Sequence, residues 1–304
     1  MEHQKIRRYI EQLEEIAGYL HGILKYESDS KPLILSEEDS VREFTELRLL
    51  MKSDSWPLAV DDSMAKCESK QDRLKRASLI LNSLIAADLE NKSFLDYGCG
   101  DGCAASLVAS VYGPKIAVGY DLRSKNWLHL DPSSKLHLTT EWDDASSRGP
   151  FDVIMLNDVL DHDQTLEDSL KKINSVMSDA CRVYIKCHPW TSRHGAHAHE
   201  SANKAFVHLV FSEEELAKMG IKTEATHKLL NPLESYRRLF KEQGFSVVRE
   251  EVVSSDVERI FSIDERLRRR ILTKWKQSNQ PEYASGEQFP HEHMSVEFVL
   301  FTLL

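Results

Sequence analysis

Residues 93–121 constrain the chain most. Ser93-Phe-Leu-Asp-Tyr-Gly-Cys-Gly-Asp-Gly102 is followed by a short apolar helix and then by Ile116-Ala-Val-Gly-Tyr-Asp121. Phe94 and Leu95 read as a buried strand that ends at an acid, Asp96. Three glycines at alternate positions, Gly98, Gly100 and Gly102, let the backbone turn at positive φ and approach a ligand closely. A second apolar strand, 116–120, ends at another acid, Asp121, placed to accept both hydroxyls of a ribose. The unit predicts a nucleoside-cofactor site on a βαβ scaffold, with strand-to-helix packing as the plainer use of the glycines.

The spacing is G-x-G-x-G with an acid two residues before the first glycine, not the dinucleotide pattern G-x-G-x-x-G. It resembles motif I of the class I S-adenosylmethionine-dependent methyltransferases, D/E-x-G-x-G-x-G. Asp96, Gly98, Gly100 and Gly102 match that motif, and Asp121 matches the family's ribose-binding acid. Phe151-Asp-Val-Ile-Met-Leu-Asn157-Asp158-Val-Leu-Asp-His162 resembles the family's fourth strand and motif IV, where many members read VLEH. The resemblance covers residues 70–190 and, more loosely, the C-terminal third. It implies an α/β fold, a doubly wound, seven-stranded, mostly parallel sheet over 70–304 with an antiparallel seventh strand. Inserts fall at about 188–230 and 256–294, and residues 1–69 form an N-terminal helical extension. The implied cofactor is S-adenosyl-L-methionine. By the same resemblance Asp96 sits near the methionyl ammonium, and Gly98, Cys99 and Gly100 form the loop along the methionyl and ribose parts. Asp121 takes the ribose hydroxyls and Leu122 packs on the adenine. Trp142 and Asp143 are candidates for the adenine face and its exocyclic amine, and Asn157 lines the methionyl end.

Composition agrees with a soluble enzyme. A chain of 304 residues can bury a full core. Acids exceed bases by 49 to 39, a net charge of −10, which disfavours nonspecific nucleic-acid binding through bulk charge. No apolar run approaches a membrane span, and the N-terminus lacks the apolar core of a signal peptide. Five cysteines without a disulfide-framework spacing read as reduced thiols in a cytoplasmic protein.

Apolar residues from Ile6 to Leu24 recur at helical spacing. That helix packs on the catalytic domain or makes a homodimer. A second helix is expected at 37–51, and the irregular 54–70 stretch is expected to cross the mouth of the fold. A helix over 71–88 leads to the first strand. Further strands are expected at 135–140, 152–156 and 182–187, and a helix over 166–177; Glu141-Trp142-Asp143-Asp144 follows the first of these strands, with a surface loop as the plainer reading of Trp142 and Asp143. Strands alternating with helices predict a parallel sheet covered on both faces. His188–His208 is polar, rich in histidine and too long for an ordinary connection, so it is expected to carry function. Ser212-Glu-Glu-Glu215 reads as a capping box. Asn231-Pro232 opens a helix that Gly244 ends; strands follow at 245–253 and 295–303, separated by a helical 256–277.

Methyl transfer is an in-line displacement, so the site must align the nucleophile and exclude water. A base is needed only for a weakly acidic hydroxyl or amine. His188, His197 and His208 are the candidate acid/base groups, since histidine titrates near neutral pH. His194, His197, His199 and Glu200 crowd together, but the segment has no zinc signature such as H-E-x-x-H, so no metal is expected. A rival arrangement resembles the Lys-Asp-Lys-Glu tetrad of ribose 2′-O-methyltransferases, for which the chain offers Lys75, Asp158, Lys186 and Glu297. The preferred acceptor is a small molecule or sugar-type compound. RNA methylated through that tetrad is the alternative, and a non-catalytic methyltransferase-like scaffold is a third reading.

Overall fold

The computed structural model describes residues 36–60, 69–85, 87–124, 127–163, 165–223, 232–255, 257–276, 294 and 296–304. The expected N-terminal helix over 6–24 lies outside them. The chain divides into two compact units, residues 1–48 and 49–304. In chain order the elements are α1 (Glu37–Met51), α2 (Lys70–Leu84), β1 (Ser93–Tyr97), α3 (Cys103–Val111), β2 (Ile116–Tyr120), β3 (Leu136–Thr139), α4 (Trp142–Ser146), β4 (Phe151–Asn157), α5 (Leu166–Ser175), β5 (Met177–Cys187), α6 (Val207–Val210), α7 (Glu213–Lys218), α8 (Pro232–Glu242), β6 (Val247–Ser254), α9 (Glu258–Phe261), α10 (Glu265–Lys276) and β7 (Val296–Leu303). Among the described residues no helix is long and apolar enough to cross a membrane.

The seven strands form one sheet in the order β3-β2-β1-β4-β5-β7-β6. The first five run parallel; β7 inserts antiparallel between β5 and β6. Alternation along each strand sends side chains to two cores. Leu95, Tyr97, Val118, Tyr120, Ile154 and Leu156 pack beneath α5 and α8, through Leu170, Ile173, Tyr236 and Phe240. Phe94, Ala117, Val153, Met155 and Tyr184 pack beneath α2 and α3, through Leu81, Leu84, Val108 and Ala109. Burial on both faces explains why β1, β2 and β4 read as unbroken apolar runs.

Local signals place several ends. Ser69 and Asp72 close a capping box on α2, and Ser212 and Glu215 close the expected one on α7. Three stretches differ from the sequence expectation. β5 begins at Met177, which pairs with Phe151 before a register shift, although its first residues alternate too little to read as a strand. Residues 142–146 form the short helix α4 instead of a loop. The 256–277 stretch holds two helices, α9 and α10, because Asp264 turns back on Arg266 through its carboxylate and caps the second.

β1, β2, β4 and β5 all end at one edge, so Asp96, Asp121, Asn157, Asp158, Lys186 and His188 reach it together. A cavity of about 500 Å³ lies at the opposite edge, lined by Ser93, Lys115, Asp152 and Ser178 among others. There the Asp152 carboxylate accepts from Ser93 N and Ser178 Oγ and ties β1, β4 and β5 together. Ligands in open α/β sheets bind outside the carboxyl ends of the strands, so that cavity is not the candidate site.

Candidate active site

The turn after β1 is held by its neighbour strand. Gly98 N and Cys99 N both donate to Tyr120 O, at 2.7 and 3.0 Å. Gly100 stands at φ +53°, and a Cβ there would meet nothing within 4 Å, so the turn faces open space. Asp121 supports it from β2: Oδ2 accepts from Gly100 N at 2.8 Å and Oδ1 from Arg123 N at 3.0 Å. Leu122 follows with 79% of its surface exposed. The Cys99 side chain is buried near Gly119, and burial pushes its thiol well up.

Three residues at this turn were not singled out by the sequence pattern. Trp127 Nε1 donates to Gly100 O at 2.9 Å. Arg73 and Arg76, from α2, lie 3.7 and 3.5 Å from Asp101 Oδ2. Two arginines one turn apart on a helix look like an ordinary solvated face; only the fold brings them to the glycine turn.

Asp96 is 2% exposed at the end of β1. Burial, with the nearby Asp101 and Asp121 charges, pushes its carboxyl up to about 8. Its folded value therefore exceeds the ordinary 3.8, and the folded chain keeps a proton that the unfolded chain has lost. That stabilisation is complete below the ordinary value and disappears as pH rises through about 8. The contribution of Asp96 to the melting temperature of the ligand-free chain is expected to fall from about pH 4 to about pH 8 and to level off above, and Asp96→Asn to flatten that limb. Scanning calorimetry of both proteins across the range checks it. Trp142 meets Tyr97 and Tyr120 edge-on, at ring centroids of 5.7 and 5.3 Å, and so braces the strand residues beside Asp96 and Asp121. Asp143 is exposed in the first turn of α4.

A second group gathers where β4 and β5 end. Asp158 stands at φ +53°, and its N–H donates to Lys186 O at 2.8 Å. Asn157 Nδ2 donates to Asp158 Oδ2 at 3.1 Å, while Asn157 Oδ1 is buried without a hydrogen-bond partner among the described residues. Lys186 Nζ lies 3.9 Å from Asp158 Oδ2 and His188 Nε2 lies 3.5 Å from Oδ1. Burial opposes the Asp158 charge, but the interactions with the facing His188 ring and the Lys186 ammonium outweigh it and hold the carboxyl below its ordinary value. Burial pushes His188 below the ordinary histidine value, with Asp158 opposing, so its imidazole is neutral at pH 7. The pair is thus a carboxylate beside a neutral ring able to accept a proton.

The segment after β5 folds over this group. His188 and His194 are each 8% exposed, and their ring centroids are 5.1 Å apart. Burial pushes His194 well below the ordinary value. The His197 ring lies 4.6 Å from that of His194 and 5.9 Å from that of His188. His208 Nε2 donates to Trp190 O at 2.6 Å and ties the segment's end to its start. Residues 53–60 lace the segment from outside. Trp56 Nε1 donates to Ala205 O at 2.8 Å, and Asn203 exchanges two hydrogen bonds with the Val60 backbone.

Gly195 lies where this segment turns back on itself. A Cβ there would fall 2.3 Å from Trp190 O and 2.4 Å from Pro189 O, backbone atoms that no side-chain rotation can clear. Gly195→Ala is expected to destabilise the chain by about 1–3 kcal/mol and loosen the segment. Denaturant melts, with limited proteolysis of residues 188–208, check this.

Of the four tetrad positions, the described contacts join two. Asp158 and Lys186 are in contact, as described. Lys75 is exposed on α2 beside Asp72 and is not among the charges that act most on Asp158. Glu297 lies in β7, and its side chain is outside the described residues.

No curated protein matches the chain. Among solved structures, a candidate S-adenosylmethionine-dependent methyltransferase from Listeria monocytogenes is 14% identical, over 75% of this chain and 96% of its own, with a TM-score of 0.46. An S-adenosylmethionine-dependent methyltransferase from Mesorhizobium loti is 14% identical, over 75% and 95%, with a TM-score of 0.43. The Haemonchus contortus phosphoethanolamine N-methyltransferase 2 bound to S-adenosyl-L-methionine is 17% identical, over 76% and 52%, with a TM-score of 0.43. A family model described as a methyltransferase domain matches residues 69–250, more than half of the chain and the whole span from the α2 cap to β6. With that match and the sheet order 3-2-1-4-5-7-6, the chain belongs to the methyltransferase family, with the class I fold of its S-adenosylmethionine-dependent members.

Proposed function

We propose that the chain methylates an oxygen or nitrogen of a small-molecule or sugar-type acceptor, held between the ends of β4 and β5 and the 188–208 segment. The observation that carries the reading is the Asp158–His188 pair, a half-buried carboxylate facing a buried imidazole, under the covering 188–208 segment. An enclosed site of this kind suits a compact acceptor. The net charge of −10 is also a poor match for a polyanion.

The residues at the glycine turn fit S-adenosylmethionine. Open space above Gly100 admits the ligand, and Asp121 stands beside it at the ribose position. Leu122 offers an exposed apolar surface to the adenine, and Asp143 an exposed carboxylate to its exocyclic amine. The unpartnered Asn157 Oδ1 offers an acceptor at the methionyl end. Gly98 and the Cys99 backbone complete the turn, and Trp142 acts through the strand ends it braces. When bound, the cofactor supplies an electrophilic methyl group on a sulfonium. The chain's own work is to orient the acceptor, exclude water and receive a proton. Asp158 orients the His188 ring, and His188 takes the acceptor's proton as the new bond to carbon forms. His197 closes the far side. The free, buried thiols Cys99, Cys103, Cys181 and Cys187 support a reducing, cytoplasmic setting.

The protonated Asp96 adds a linked prediction. A methionyl ammonium beside it favours the ionised carboxylate, so cofactor binding releases a proton below about pH 8. Calorimetric titration at one pH in buffers of different ionisation enthalpy measures that proton, and Asp96→Asn is expected to abolish its release.

The Lys186–Asp158 contact favours a second reading, ribose 2′-O-methylation of RNA, which the exposed position of Lys75 disfavours. Labelled-methyl transfer to capped RNA, total RNA, protein and a small-molecule extract decides between them. Labelling in the extract is the expected result. Efficient labelling of RNA alone moves the assignment to the ribose chemistry.

A further inference from the structure

Beyond the Asp158–His188 pair, the chain brings together a second set of groups. Asp161 and His162 follow β4, and His197 comes from the segment after β5. One ligand atom from each lies within 4.8 Å of the other two. His197 Nε2 is in close contact with Asp161 Oδ2, and His162 Nε2 lies 3.8 Å from the same oxygen. The two imidazole rings stand 4.2 Å apart at 64°, converging on one carboxylate rather than stacking away from it.

We propose that Asp161, His162 and His197 bind one divalent transition-metal ion. Three observations carry this. First, Asp161 is 2% exposed, and the groups aimed at its oxygen are imidazoles, which are metal ligands in their neutral form. Second, the three ligand atoms lie within 4.8 Å of one another, close enough for one ion to bridge them once the His197–Asp161 contact opens to admit it. Metal–ligand distances of about 2.0–2.2 Å are the spacing such an ion takes with imidazole nitrogen and carboxylate oxygen. Third, His197 is fixed at a left-handed backbone conformation, φ +49°, with its N–H donating to His194 O at 2.8 Å. That conformation is unfavourable for a side chain with a Cβ, and it aims the ring at Asp161.

Two nitrogens and one oxygen define the ion class. Mg²⁺ and Ca²⁺ favour all-oxygen sets, and Cu(I) favours sulfur. The set suits ions of the Zn²⁺, Co²⁺, Mn²⁺ and Fe²⁺ group, and three protein ligands leave at least one position open. His197 is a near neighbour of His188, so the open position lies close to the proposed acceptor site. An acceptor oxygen bound there would become more acidic, which is the help a weakly acidic hydroxyl needs. The metal site rests on its own geometry and stands whether the acceptor is a small molecule or RNA.

The test uses the full chain, freed of metal by a chelator and then desalted. Co²⁺ is titrated in while visible absorption reports bound cobalt, and elemental analysis after desalting gives the Zn²⁺ stoichiometry. One equivalent per chain and a higher melting temperature with Zn²⁺ are expected. His162→Ala is the decisive variant, because His162 is only half-buried, and its circular dichroism and melting temperature check that the fold is kept. It and His197→Ala are each expected to weaken Co²⁺ binding by more than about tenfold, since even outer partners of a metal ligand contribute that much. His129→Ala, at an exposed histidine remote in sequence, is expected to bind as the wild type does. The proposal is overturned if the wild type binds neither ion. It is equally overturned if His162→Ala and His197→Ala keep wild-type affinity, or if His129→Ala loses as much as they do.

Discussion

Asp121→Ala is expected to lower S-adenosylmethionine affinity by at least about 100-fold. Two ribose hydroxyls donating to one carboxylate form two charge-assisted hydrogen bonds, each contributing ~1.5–3 kcal/mol. Since every ~1.4 kcal/mol is a factor of ten, even the lower end gives two orders of magnitude. The structure adds a second reason for a large effect. The same carboxylate accepts from Gly100 N and Arg123 N, so its removal also leaves the turn without its support from β2. Asp121→Asn separates the two roles. An amide oxygen can still accept from Gly100 N, but it lacks the charge that strengthens bonds from the ribose. Titration calorimetry is therefore expected to rank wild type, Asn and Ala in falling affinity, and thermal melts to show Ala alone destabilised. Equal affinity in wild type and Asp121→Ala would remove the ribose assignment.

The second large effect is on turnover. His188→Ala is expected to lower kcat by roughly 10²–10⁴-fold, with cofactor affinity unchanged. His188 follows β5 immediately, where the sheet fixes its backbone, and its Nε2 faces Asp158 at 3.5 Å. Burial keeps the ring neutral, the form that takes a proton. Asp158→Ala is expected to reduce turnover as well, because it removes the group that orients the ring. His197→Ala bears on the same question from the covering segment. Single-turnover rates on the substrate found by methyl labelling check all three. If His188→Ala and His197→Ala kept full turnover, alignment of the acceptor would account for the catalysis. If Lys186→Ala and Asp158→Ala abolished activity while His188→Ala did not, the Lys-Asp-Lys-Glu chemistry would lead.

What the sequence determined by itself lies in short windows. The strand–glycine turn–helix unit, the acids closing β1 and β2, and the Ser212–Glu215 capping box depend on residues only a few positions apart. Their signals are a buried apolar run, a spacing that demands positive φ, and a side chain within reach of its own helix N-terminus. These act locally, so they survive in the linear text. The seven-stranded, mostly parallel sheet and its antiparallel β7 were legible through the family resemblance and hold in the fold.

Tertiary structure alone decided which polar groups meet. Arg73 and Arg76 reach Asp101 because α2 packs across the glycine turn. Trp142, a candidate for the adenine face, meets Tyr97 and Tyr120 edge-on and packs half-buried against the core, contacts that no local pattern announces. Asp161 was only one letter of a motif until His197, from another segment, arrived beside its carboxylate. Segments 53–60 and 188–208 carry no shared pattern, yet Trp56, Asn203 and Lys204 lace them together. The physical reason is common to all four. A pairing between distant segments follows from the summed packing and loop closure of the whole fold, and leaves no periodic mark on either partner.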